Sequence, residues 1–359
     1  MLKKLDIYII KKFLGTFIFS IILIISIAVI FDFAENVDDF LDNKVPTEGI
    51  IFKYYLNFVP YFANLFSALF VFISVIFFTS KMASNTEIIA ILSSGISFRR
   101  MLRPFFISAF LIAVFSWWLG NFIIPPANKV RIEFENKYMK NPYWVDQNHI
   151  HKQISPGVYI YMEDYVATEQ KGERFYVETI NGVDLVSRVA CNDVRWNKEK
   201  ECWEMINYFT RELDTLDETF TKGSMLDTVI KLHPDDFIER DNLKETMDYN
   251  ELNDFIRKKE LEGDEKIINY ILEKHQRSSM PFAAFILTLI GVSVACRKVR
   301  GGIGLHLGLG LGLSFAYILF MQVSTNFAKG GTMTPILAIW LPNIIFSLIA
   351  YYLYTRAPK

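Results

Sequence analysis

Six long stretches of this sequence contain no Asp, Glu, Lys or Arg: Phe13–Phe31, Tyr54–Ser80, Pro104–Asn128, Ser278–Cys296, Gly301–Ala328 and Gly330–Thr355. A helix crossing a hydrocarbon core of ~30 Å needs about 20 predominantly apolar residues. Each run meets or nearly meets that need. The chain therefore reads as three membrane helices, a polar block of about 150 residues, and three further helices. The expected fold is a polytopic α-helical membrane protein (3 + 3 spans) with an inserted all-β, jellyroll-like domain. The expected spans are about 13–34, 54–80 and 104–124 in an N-terminal half (1–126), and about 278–296, 301–325 and 333–355 in a C-terminal half (277–359).

The charges orient these spans, because Lys and Arg of short loops stay on the cytoplasmic side. With the N-terminus inside, Lys3, Lys4, Lys11, Lys12, Lys81, Arg99, Arg100, Arg103, Arg297, Lys298, Arg300, Arg356 and Lys359 all fall inside. Only Lys44, Lys53 and Lys329 fall in short outside loops. That asymmetry puts both termini in the cytoplasm and residues 127–276 across the membrane, in the periplasm of a bacterial inner membrane. The first run is too long for a cleaved signal and no small-residue cleavage site follows it, so it is expected to remain as a span. Net charge is −1, which gives no basic signature for nucleic acid. Cys191, Cys202 and Cys296 make neither a disulfide framework nor a metal cluster. Cys191 and Cys202 are expected as buried free thiols, with a disulfide as the alternative.

Within the polar block, Gly157–Tyr165, the run from Arg174 and the run from Gly182 alternate apolar and polar residues as half-buried strands do. The run from Gly182 and the one from Cys202 predict a hairpin with Trp196 and Trp203 near its turn. A further strand is expected from Met225. Several short strands with turn signals between them suggest an antiparallel sandwich or jelly roll. The block should end in helix: Asp248 with Glu251 forms a capping-box pattern, and Gly263 is the stop. His149 and His151 have no Cys or carboxylate at ligand spacing, so they are expected as exposed strand residues and no metal or cofactor is expected.

The fifth run carries Gly304, Gly308 and Gly312 at four-residue steps on one helix face. This face either packs tightly within the chain or serves as a packing face, or lateral gate, against a second subunit. The same glycine-rich run lacks the Gly-Lys-Ser/Thr ending of a phosphate loop. If the protein uses ATP, another subunit must hydrolyse it. No ionisable group lies deep in a span, which weakens an ion-coupled carrier and favours an apolar or amphipathic cargo. His306 is expected to pack or sit at the interface. Between the second and third runs, Ser84 and Glu87 form a capping-box pattern, Ile88, Ile89, Ile91 and Leu92 give an apolar face, and Gly95 ends the helix. This segment, 84–95, could rest on lipid or dock in the groove of a motor domain.

The segments LDIYIIKKFLGTF, EIIAILSSGISFRRMLRP, RSSMPFAAFILTLIGVSVA, GIGLHLGLGLGLSFAYILFMQVS and PILAIWLPNIIFSLIAYYLY occur in this order. With the split layout, they resemble the lipopolysaccharide export permeases of the LptF/LptG family nearly end to end. The resemblance implies an ABC transporter permease, not itself an enzyme. It implies pairing with a second LptF/LptG-type permease on an LptB-like ATPase dimer, an LptC-like periplasmic partner, and lipopolysaccharide as cargo. It also implies that Glu87 sits where the family's coupling helix contacts the ATPase, with Ile88, Ile91 and Gly95 completing that segment. Lys44 and Lys53 are candidate head-group contacts, equally well read as solvated loop charges. The rival readings are a permease for another lipid or lipoprotein, and a membrane sensor with a periplasmic ligand domain.

Overall fold

The computed structural model describes residues 3–139, 147–166, 169–213, 217–228, 230, 232–234, 243–264, 267–297 and 302–357. Of the expected inner-side cations, Lys298, Arg300 and Lys359 lie outside these residues. Among the described residues six helices are long and apolar enough to cross a membrane, and six antiparallel strands are inserted between the third and fourth. The chain divides into two compact units. One comprises residues 1–139, 244–249 and 268–359; the other comprises residues 140–243 and 250–267.

The helical unit opens with α1 (Lys4–Asp42), followed by a π-helical turn (Gly49–Tyr55), α2 (Leu56–Ser84), the short α3 (Glu87–Ser93) and α4 (Phe98–Trp118). A second π-helical turn (Leu119–Ile123) carries α4 into α5 (Ile124–Tyr138). The spans outrun the charge-free runs, because a helix need not stop where the hydrocarbon does. α1 covers 39 residues, and α5 carries Lys129, Arg131, Glu133 and Glu135. α4 starts where the Ser97 hydroxyl accepts the Arg100 amide, satisfying an otherwise unpaired N–H.

After the strands come α6 (Leu243–Thr246), α7 (Tyr249–Glu262), α8 (Ile267–Ala295), α9 (Gly302–Lys329) and α10 (Pro335–Arg356). α7 starts after Asp248, and its stop is Gly263 at φ +68°, a left-handed conformation that glycine adopts without steric cost. α10 opens on Pro335, whose missing N–H costs nothing in the first turn.

The bundle is packed through small and polar groups. The Tyr317 hydroxyl donates to Asn343 Oδ1 at 2.9 Å, and the Ser324 hydroxyl donates to the Ala338 carbonyl at 2.6 Å. Gly291 of α8 lets Val75 and Phe72 of α2 close on its backbone. Phe72, Ile76, Leu287, Ile290 and Ile339 fill one buried cluster, and Phe13, Val71, Met101 and Phe105 fill another.

The β unit is a six-stranded sheet in sequence order: β1 (Gln147–Ser155), β2 (Val158–Val166), β3 (Lys171–Asn181), β4 (Asp184–Asn197), β5 (Cys202–Leu213) and β6 (Glu218–Thr228). The hairpin forms as expected, with Trp196 opposite Trp203. β6 begins at Glu218, seven residues before the expected start at Met225. The antiparallel β domain is thus present, and among its described strands the path is a meander. A flat sheet would hold β2 and β5 roughly 14 Å apart, three strand spacings of ~4.8 Å. Yet the rings of Tyr165 (β2) and Trp203 (β5) lie 6.4 Å apart. The sheet therefore curls over its own apolar face, burying Met162, Phe175, Val194 and Met205.

Cys191 pairs with Tyr208 and Cys202 with Asn197, so the two cysteines stand at different levels of the hairpin, and both are buried free thiols. Burial pushes the Cys191 thiol up to about 12. His149 and His151 lie exposed on β1 beside the Tyr161 ring, with His149 Nδ1 3.1 Å from the Tyr161 hydroxyl.

Candidate functional site

The segment around Glu87 is built by a tight reversal after α2. Ser84 is the last residue of α2, and its hydroxyl donates to the Lys81 carbonyl at 2.9 Å. The expected capping box is therefore absent. The turn is made instead by Asn85 and by Thr86, whose φ of 64° sends the chain back. α3 then runs seven residues and stops before Gly95 at φ +83°.

Ile88 is 1% exposed, and Ile91 and Leu92 pack on the same core cluster, so this face anchors α3 to α2 and α4. The face left open carries Ile89, Ala90 and Ser93. Of the residues expected to contact a motor, Glu87 is half-buried and Gly95 is exposed, whereas Ile88 is internal.

Glu87 is not a helix cap. Its Oε2 accepts the Tyr8 hydroxyl at 3.0 Å, and its Oε1 accepts Asn85 Nδ2 at 3.2 Å. Tyr8 belongs to α1, so the contact ties α3 to the first span. A second tie lies beside it. Asp6, 2% exposed, receives both Nη1 and Nη2 of Arg100 at 2.7 and 2.6 Å, a bidentate pair between α1 and α4. The Lys3 amide adds a third bond to Asp6 at 2.8 Å. Neither Tyr8 nor Asp6 stood out in the sequence. The available signal was a lone acid inside a lysine-rich lead-in.

The opposite end of α1 is also held. Tyr54 and Tyr55 donate to the two carboxylate oxygens of Asp32 at 3.1 Å each. Phe40 packs with Tyr54, Phe58 and Phe134 in an aromatic cluster. Between these ends, from Leu14 to Asp39, no residue of α1 is buried. Ile18, Phe19, Ile22, Ile30 and Phe31 present an open apolar wall.

α9 is open in a similar way on one side. His306, Gly310, Ser314 and Tyr317 face inward, and a side chain at 310 would strike Ile76. Among the described residues, nothing from elsewhere in the chain lies within 4 Å of where a side chain would start at Gly304, Gly308 or Gly312. The stripe is therefore not used for packing among the described residues, and the internal close approach falls to Gly310. His306 is buried, with Nε2 3.0 Å from the Arg297 carbonyl, so that nitrogen carries the proton.

The family model for the lipopolysaccharide export system permease LptF/LptG matches residues 7–356. The chain belongs to this family. No curated protein is detectably similar to it in sequence. The match spans all six membrane helices and the β unit, so the permease is a transport subunit. Lys44, at φ 50°, and Lys53, in the first π-helical turn, are both exposed.

Proposed function

We propose that this permease forms half of the membrane channel of an ABC transporter that extracts lipopolysaccharide from the inner membrane. A second LptF/LptG-type permease completes the channel. An LptB-like ATPase dimer in the cytoplasm supplies the energy, and an LptC-like partner receives the lipid in the periplasm. The observation that carries this reading is the open apolar wall of α1, combined with the family match over nearly the whole chain. A wall of exposed Ile and Phe along a membrane span is the surface expected of a cavity for acyl chains. The excess of basic flanks on one side supports cytoplasmic termini and a periplasmic β unit.

In this mechanism the ATPase engages α3 through Glu87 and the exposed face at Ile89 and Gly95. Each carboxylate oxygen of Glu87 accepts one bond within the chain, which leaves lone pairs for an incoming cation. Ile88 and Ile91 act as the anchor that transmits the push to α2 and α4. Closure narrows the cavity between α1, α2 and α9 and drives the lipid outward. Gly304, Gly308 and Gly312 let the neighbouring permease approach closely and part again as a lateral gate. Lys44 and Lys53 meet head-group phosphates at the outer mouth. Acyl chains then enter the apolar interior of the curled sheet. Each methylene leaving the bilayer costs ~0.8 kcal/mol, so a multi-chain lipid needs both ATP and a continuous apolar path.

The test is Glu87→Lys in the assembled transporter. The variant should insert and pair normally but lose lipid-stimulated ATP hydrolysis. Undiminished hydrolysis and transport would overturn the coupling role. Mass spectrometry of the natively purified assembly checks the partners and the lipid.

A further inference from the structure

Two carboxylates meet the N-terminal end of α1, and they are held in different ways. Asp6 is neutralised: Arg100 closes on both of its oxygens, and the acid is almost fully withdrawn from water. Glu87 is held by neutral donors only, the Tyr8 hydroxyl on Oε2 and the Asn85 amide on Oε1. Among the described residues, no cation of the chain is paired with it. The carboxylate is thus fixed in direction while its charge stays uncompensated.

The phenol that holds it is itself well placed. Asp6 and Ile9, on either side of Tyr8 in sequence, are 2% and 0% exposed, so the backbone at this point is pinned to the bundle. The Tyr8 ring stands edge-on to Phe78 of α2, with centroids 6.4 Å apart. Asp6 locks the same turn of α1 to α4 through Arg100. A tyrosine turns on only two side-chain torsions, so it presents its hydroxyl at small entropic cost. A free glutamate populates many rotamers, and ordering it on contact with a partner subtracts from affinity. Fixing the carboxylate beforehand removes that loss. Both bonds to Glu87 are open to water, so each should count as one ordinary net hydrogen bond.

Given the coupling role proposed for Glu87, we infer that Tyr8, with Asn85, is a positioning residue for the motor contact. The two donors hold the Glu87 carboxylate in the orientation that the ATPase engages, without cancelling its charge. The first membrane helix thereby takes part in docking the motor although only α3 touches it.

The test uses the assembled transporter, immobilised through the permease. Release of the ATPase into flowing buffer is timed, and ATP hydrolysis is measured on the intact assembly. Tyr8→Phe keeps the ring on Phe78 and removes only the hydroxyl. Release should accelerate about fivefold, the loss of one net hydrogen bond, while the hydrolysis rate of the intact assembly is unchanged. A merely structural role would slow hydrolysis as well. Asn85→Ala, on the other oxygen, should accelerate release about threefold, and it decides the matter should Tyr8→Phe assemble poorly. Parent-like release in these variants, or slowed hydrolysis with parent-like release, would overturn the proposal. So would an equal acceleration by Tyr8→Phe in a Glu87→Ala background, where no carboxylate remains to be positioned. Glu87→Lys separates the two readings. If it leaves hydrolysis intact, the coupling role falls. If it abolishes hydrolysis while Tyr8→Phe releases the ATPase at the parent rate, only the role of Tyr8 falls.

Discussion

α1 and α8 are both membrane-spanning, and the more apolar of the two is the less buried. In α1, 6% of the eighteen-residue apolar window is buried within the chain, against 61% in α8. In water the opposite ranking would be expected, because apolar area drives burial. In lipid that drive vanishes between helices, and close packing of small residues and hydrogen bonds takes over. α8 buries Ser279, Ala283, Ala284, Gly291, Ser293 and Ala295. α1 carries Ile and Phe through its middle and buries only Asp6, Ile9, Phe13 and Phe40, all toward its ends. The contrast separates a helix that packs within the chain from a helix whose middle the chain leaves open. It also explains why α1 needs polar ties at both ends, since its middle is only partly covered, through Phe17, Ala28 and Val29.

The sharpest way to break this comparison is to place the same side chain on both kinds of surface. In Gly291→Leu, the first added carbon already meets Val75 at 2.8 Å and Phe72 at 3.2 Å. Overpacking of this kind costs about 3 kcal/mol. The variant should lower the thermal unfolding midpoint strongly, and an unchanged midpoint would refute the packing argument.

Next in size is Asp6→Asn. It leaves Arg100 without its charge partner, but the arginine side chain is 28% exposed and water softens the loss. A fully buried pair broken on one side costs 3–5 kcal/mol, so about 2 kcal/mol is expected here. Proteolysis at the N-terminal end of α1 should accelerate accordingly. Smaller again is Gly308→Leu, where no described residue from elsewhere in the chain lies within 4 Å of the new carbon. The isolated chain should change by less than about 1 kcal/mol. Pairing with the proposed second permease, measured by co-purification, should nevertheless fall.

The spans, the hairpin at Trp196 and Trp203 and the stop at Gly263 were legible in the sequence, because each is written in a local pattern: twenty apolar residues, strict alternation, or a glycine at positive φ. Four features were not. The start of β6 was missed because Glu218–Lys222 are exposed and offer no apolar alternation. The capping box at Ser84 and Glu87 matched in spacing but failed because α2 keeps Ser84, leaving Glu87 free to meet Tyr8. The pocket lined by Asn64, Asn128, Asn269, Gln276 and Gln322 was missed because these amides sit on four helices and share no sequence interval. Long-range pairs such as Asp6 with Arg100, 94 residues apart, leave no periodic trace either.

The smallest effect sharpens the comparison at Glu245 of α6. Glu245 lies buried beside Glu273, and its carboxyl holds its proton to higher pH in the folded chain than in the unfolded one. The sign follows from linkage. A carboxyl with a raised folded value favours the folded state when protonated. That contribution is complete below the unfolded value near pH 4.3 and is lost as pH rises through the folded value. Glu245→Gln keeps the shape and removes the titration. The variant should therefore match the parent in acid and exceed it modestly at neutral pH, with the gap opening just above the ordinary glutamate range. Unfolding midpoints of both forms between pH 4 and pH 8 read this directly. A gap that opens toward acid instead would mean that Arg131, Lys244 and Arg277 outweigh burial and the neighbouring Glu273.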